Sequence, residues 1–211
     1  MRFLQPTGLA VFKSVSRSGW PLVALLLGAC SMSYELLLAK MFGEILGNEV
    51  LCQSLTVGTY LLGLGWGAWR ASSSEKHENT KLRIIHLEMQ LAVLGCLAPV
   101  LAMVFITVGK YIFPASFLMA DDSPLWQLLI FLILQPLPLC IGLWSGWELP
   151  LVIQLSGGNS ATRILAGSYL GGLVGSWFVP WSGFIHLTVV QAAWLVAVVN
   201  WFVAFVLIFT L

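Results

Sequence analysis

Four ionisable residues sit in or at the ends of stretches otherwise too apolar to hold them: Glu35, Lys40, Glu88 and Glu148. A charged side chain at membrane depth costs about 2.5–3.5 kcal/mol, so each needs a reason to be there. Glu35 closes the run Ser31-Met32-Ser33-Tyr34-Glu35, with Lys40 shortly after it. Glu88 lies about one turn inside its stretch, near His86, and Glu148 stands in Gly146-Trp147-Glu148-Leu149-Pro150. Pro150 lacks a backbone donor, which predicts a locally irregular helix around Glu148. Two roles are open to this intramembrane cluster. It lines a path for a proton or cation, or it is a structural clamp satisfied by backbone, hydroxyls and Lys40. A clamp needs only hydrogen-bonding capacity, which Gln preserves, whereas a cation site needs negative charge.

Other chemistry is thin. Cys30, Cys52, Cys96 and Cys140 all lie in apolar runs without CxxC spacing and read as small buried hydrophobes. His77, His86 and His186 lack a second ligand at helical spacing, and His86 and Glu88 point to different faces of a helix. Gln191 and Asn200 read as interhelical hydrogen-bond partners. No nucleophile–base pair, phosphate loop or dinucleotide fingerprint is present. The residues therefore predict no catalytic group, no metal and no cofactor, and a protein that is not an enzyme.

The elements that must position these residues are transmembrane helices. Of the 211 residues, 59% are hydrophobic and only 9% charged. That is well under the roughly 25% charge of a soluble domain. A net charge of +1 supplies no field to attract nucleic acid. A span needs about 20 apolar residues, and six such stretches follow a cytoplasmic segment at 1–19. They run from about Trp20 to Lys40, Leu51 to Trp69, Ile84 to Val108, Leu125 to Ile153, Ile164 to Val179, and Ile185 to Leu211. The expected fold is all-α, a six-helix integral membrane bundle over 20–211. Arg2, Lys13, Arg17, Arg70, Lys76, Lys81, Arg83 and Arg163 fall on one side. Lys110 and, nearly, Lys40 fall on the other. This bias places both termini inside, in the cytoplasmic membrane of a bacterial cell.

Glycine spacing predicts where helices meet. Gly63 and Gly67, Gly142 and Gly146, and Gly167, Gly171 and Gly175 form ladders of the kind that let backbones approach in lipid. Tryptophans near span ends (Trp20, Trp69, Trp126, Trp147, Trp181) fit an interfacial belt. Trp66, Trp144, Trp194 and Trp201 lie deeper, against lipid or a neighbour.

Taken in order, several motifs resemble the membrane domain of spermidine-synthase-like, or polyamine aminopropyltransferase-like, membrane proteins. They are Ser31-Met32-Ser33-Tyr34-Glu35-Leu36, Thr56-Val57-Gly58-Thr59-Tyr60 with Leu62-Gly63-Leu64-Gly65, and His86-Leu87-Glu88. Gly146-Trp147-Glu148-Leu149-Pro150 and Ser168-Tyr169-Leu170-Gly171-Gly172-Leu173-Val174-Gly175 follow. The resemblance implies six spans and, commonly, an aminopropyltransferase domain after the last. Here the sequence stops at Leu211, so no catalytic residue carries over, and Ser168 stands where the family usually shows an acid. The first expectation is a non-catalytic subunit or scaffold packed among other membrane subunits. Alternatives are a transporter-like module for a polyamine or other cation, and a membrane anchor for a separate cytoplasmic aminopropyltransferase. That enzyme would dock on residues 71–83 and 156–163.

Overall fold

In lipid every backbone donor and acceptor must be satisfied within the chain, which leaves apolar stretches of this length little choice but helix. The computed structural model describes residues 8–46, 48–72, 80–112, 130–157 and 161–210, and among them there are six long helices and no strand. They are α1 (Gly8–Leu46), α2 (Glu49–Ser72), α3 (Thr80–Ile112), α4 (Pro136–Leu155), α5 (Ala161–Phe184) and α6 (Val189–Thr210). The polar runs at 73–79 and 113–129, with His77, Lys76, Asp121 and Trp126, lie outside the described residues. Four segments are long and apolar enough to cross a membrane: Gly19–Glu44, Thr80–Val108, Ile130–Leu155 and Val189–Ile208. Helices α2 and α5 are not among them, since they devote positions to Gly, Ser, Thr and Trp.

The irregularity expected at Pro150 is found elsewhere. Helix α4 runs unbroken through Pro150, and the turn falls at Gln135, where Pro136 and Pro138 lack donors. Helical hydrogen bonds still bracket it, Gln135 N–H to Phe131 O at 3.1 Å and Leu139 N–H to Gln135 O at 3.2 Å. At the start of α6, Gln191 corrects another expectation. Its side chain accepts from Thr188 N–H (3.0 Å) while its own N–H donates to Thr188 Oγ1 (3.2 Å), a capping box rather than an interhelical bond.

Helix α1 is central and touches every other helix, while the tightest partners are α1 with α5, α2 with α4, and α3 with α6. The glycine ladders form the first two seams. A Cβ at Gly167, Gly171 or Gly175 would strike the carbonyl oxygens of Pro21, Leu25 and Ala29 in turn. One at Gly63 or Gly67 would strike those of Leu139 and Leu143, and one at Gly142 or Gly146 those of Tyr60 and Leu64. Residue numbers rise together along both seams, so α5 is parallel to α1 and α4 is parallel to α2. Between α1 and α2 they run oppositely, with Gly43 against Glu49 and Ser31 against Tyr60.

Two apolar clusters fill the interior. One surrounds Tyr34, Leu38, Phe42 and Ile141, with Phe42 edge-on to Phe131 at 6.1 Å, and the other surrounds Trp20, Ile84, Val152 and Ile164. Trp20 is thus a core residue, 4% exposed, rather than part of a surface belt. All four cysteines are free, but only Cys30 and Cys52 are buried, and Cys140 faces outward.

Candidate functional site within the bundle

Residues 30, 31, 34 and 35 of α1 alternate between two directions, because a turn of helix separates i from i+4. Cys30 and Tyr34 turn toward α6 and α3. The Cys30 thiol lies 3.9 Å from Val196 O, and the Tyr34 ring fills the space a side chain at Gly95 would need. Ser31 turns the other way. Its hydroxyl donates to Ser145 Oγ at 2.9 Å and shares a second hydrogen bond with the Tyr60 hydroxyl. Three helices are thereby joined at one point by hydroxyl groups alone.

Around this point lie the carboxyl groups. Glu35, Glu88 and Glu148 are 1%, 0% and 5% exposed. The carboxyls of Glu88 on α3 and Glu148 on α4 lie side by side, close enough to interact. Even so, neither Glu88 oxygen has a hydrogen-bond partner of ordinary geometry among the described residues. The buried Tyr34 hydroxyl is also unpartnered and lies within electrostatic reach of both. On the other side of the hydroxyl cluster Glu35 Oε1 is unpartnered too, and the Tyr60 hydroxyl lies in reach of both Glu35 and Glu148. Thr56 Oγ1, one turn before Tyr60, and Asn200 Oδ1 are buried orphans too, as are both Gln135 side-chain polar atoms and the indole nitrogens of Trp20 and Trp147.

Lys40 does not join the carboxyls. It is exposed, and its ammonium pairs with Glu44 at 3.8 Å. Residues that sequence reasoning did not place in the site are Cys30, Ser31, Tyr34, Tyr60 and Ser145. The readable signal was a hydroxyl one turn before each of two acids, Ser31 before Glu35 and Ser145 before Glu148.

At the neighbouring helix ends, Arg70 of α2 and Arg83 of α3 place their guanidinium carbons 5.8 and 4.9 Å from the Trp147 ring centre. Trp147 is thus held by two guanidinium groups beside Glu148, where α2 ends and α3 begins. His86 bonds its own helix, Nδ1 to Leu82 O at 3.0 Å. Among the described residues no three of His, Cys, Asp and Glu group to hold a metal ion.

Buried polar groups are nearly always hydrogen-bonded, so orphans gathered in one place ask for a missing occupant. Two adjacent carboxyls in a low-dielectric interior cannot both be charged with nothing between them. The arrangement suits a proton or a compact cation that donates several hydrogen bonds.

No family model matches the chain, and no solved structure does. Curated relatives do. The chain is 27% identical over 186 residues to the polyamine aminopropyltransferase of Oceanobacillus iheyensis, covering 85% of this chain and 33% of that one. It is 26% identical over 161 residues to the polyamine aminopropyltransferase of Leptospira interrogans, 74% of this chain and 28% of that one. Polyamine aminopropyltransferase 2 of Ralstonia nicotianae is 26% identical over 165 residues, 75% and 29%. The chain spans about a third of the length of these relatives, and it is related to polyamine aminopropyltransferases. Each relative is named as an enzyme, which corrects the expectation that this protein is not one.

Proposed function

We propose that this chain is a six-span, multi-pass module of the cytoplasmic membrane that serves polyamine aminopropyl transfer by binding an amine cation between Glu88 and Glu148. The observation that carries this reading is the side-by-side pair of buried carboxyls, Glu88 and Glu148, in which the Glu88 oxygens have no partner of ordinary geometry. An alkylammonium group supplies what they lack, one positive charge with N–H donors on a narrow stem. The relatives' name, polyamine aminopropyltransferase, supplies the substrate class. Six spans are supported by helix direction. Parallel α1 and α5, parallel α2 and α4, and antiparallel α1 and α2 are what strict alternation across a membrane requires. At 24 residues each, α2 and α5 reach about 36 Å at 1.5 Å per residue, enough to cross.

Binding is tested on the purified protein by thermal unfolding with putrescine or spermidine, against sodium chloride of equal ionic strength. A ligand at 100 times its Kd stabilises by about 2.7 kcal/mol, an easily read shift in Tm. Putrescine or spermidine should raise Tm for the native chain, and Glu88→Gln and Glu148→Gln should abolish the rise. An equal rise in both variants, or none in the native chain, overturns the reading.

A second reading, packing among other membrane subunits, is favoured by the outward aromatic faces. Trp66 and Trp69 on α2 line a shallow depression with Leu61 and Leu62, and Trp177 and Trp194 are more than half exposed on α5 and α6. Mass spectrometry of chains retained after mild detergent extraction tests it, and a protein recovered without partners counts against it.

A further inference from the structure

The two glycine seams are the same seam twice. Gly63 against Leu139 O corresponds to Gly171 against Leu25 O, and Gly67 against Leu143 O to Gly175 against Ala29 O. Gly142 against Tyr60 O corresponds to Gly28 against Ser168 O. One constant shift relates α1 to α4 and another relates α2 to α5. The shift between α1 and α4 is 114 residues, which is also the separation of Ser31 and Ser145. These two serines are therefore counterparts, and they are hydrogen-bonded to each other. Two further contacts obey the same exchange, since α3 packs on α6, and α1 on α6 as α4 on α3, whereas α1 meets α2 far more extensively than α4 meets α5. Because α1 and α4 run in opposite directions, α1–α3 and α4–α6 are related by a two-fold axis lying in the membrane plane and passing between Ser31 and Ser145.

Binding groups are arranged about that axis. Glu35 lies one turn beyond Ser31 along α1, and Glu148 one turn beyond Ser145 along the opposed α4. The carboxyls thus fall on opposite sides of the axis, with the Tyr60 hydroxyl in electrostatic range of both. Glu88 and the unpartnered Tyr34 hydroxyl reinforce the Glu148 side. Rigidity is arranged about it as well. Within α1/α5 and within α2/α4, backbone meets backbone with no slack. Between the two pairs the contact at the axis is made by side-chain hydroxyls, which can reorient.

From this geometry we infer a further activity, resting on the amine site proposed above. The bundle carries the amine across the membrane as α1/α5 rocks against α2/α4 about the Ser31–Ser145 contact. Inverted repeats with a site at their interface make the inward-open and outward-open packings near equivalents of each other. The amine is held at Glu88 and Glu148 when the cytoplasmic side is open and passes to Glu35 when the outer side is open. The buried Thr56, one turn outward of Tyr60 along α2, lines the outer path.

Two measurements on the full chain in proteoliposomes test this. The first is uptake of radiolabelled putrescine beside the thermal-shift assay. Native protein should take up putrescine above protein-free liposomes. Glu35→Gln should lose uptake to the protein-free level, while Glu35→Asp, which keeps a carboxyl, should retain part of it. Native protein that shows the thermal shift but no uptake overturns the carrier and leaves the binding site standing; loss of the thermal shift itself overturns the binding site. The second is labelling of Thr56→Cys, with the four native cysteines replaced by Ala, by a membrane-impermeant maleimide added outside. Thr56 is fully buried here, so labelling requires opening. A labelling rate that putrescine changes supports rocking. No labelling with or without putrescine, in protein that unfolds at the native temperature, overturns it.

Discussion

Ser31 is the residue on which the interior turns, since both other hydroxyls at the junction bond to it. Tyr60→Phe removes one hydrogen bond and leaves Ser31 with Ser145, so it should cost about 1 kcal/mol. Ser31→Ala removes the hydroxyl that bridges Tyr60 and Ser145 and takes two hydrogen bonds with it, so it should cost more, about 1–3 kcal/mol. Unfolding in mixed micelles measures the order, and a costlier Tyr60→Phe would contradict it. Glu88 behaves differently. Its close polar neighbour is another carboxyl, so Glu88→Leu should fold at least as stably as the native chain, because it takes a buried acid away from beside Glu148. It should also bind no amine. Clear destabilisation would show that Glu88 is a clamp after all. The acids themselves were legible in the sequence as costly residues in apolar runs. That Glu88 and Glu148, on different spans, meet each other was not, because nothing local in either run encodes the partner helix.

At the level of the helices, glycine spacing was legible and glycine partnership was not. A ladder at i, i+4 announces a face but gives no direction to the helix that covers it. Only the structure shows that Gly171 meets Leu25 O, while Gly172 meets nothing. Gly171→Ala should therefore cost about 1–3 kcal/mol through overpacking, and Gly172→Ala should be neutral or better, as read by yield and unfolding temperature. Equal effects would mean the seam has more room than the structure shows. Gly157 would be a poor control, since its φ of +76° strains any other residue. Between α5 and α6 the left-handed position is taken by His186, at φ 58°. His186→Gly should stabilise the turn by about 1 kcal/mol, because an L side chain is disfavoured there. The hydropathy of α2 and α5, by contrast, falls below that of the four helices apolar enough to cross a membrane. The same glycines that lower their hydropathy allow each to lie against the backbone of its partner.

For the whole molecule, alternation of helix direction yields a topology that reporter fusions can check. A reporter within 73–79 should report the cytoplasm, and one within 185–188 the opposite side. The same signal at both would dismantle the six-span arrangement. Each of the two glycine seams joins helices far apart along the chain, α1 with α5 and α2 with α4, and this bears on how the protein is made. Helices leave the ribosome in chain order, so in the six-span arrangement proposed above α1 and α2 would enter the bilayer well before the partners that cover their faces. A nascent chain that has released only its first three helices contains neither seam. Until α4 and α5 arrive, the buried Glu35 and Glu88 face lipid or the insertion machinery, in a state that a membrane protease can recognise. Biosynthesis should therefore have one vulnerable interval, between the emergence of α3 and that of α5, and slowing translation there should lower yield more than slowing it anywhere else.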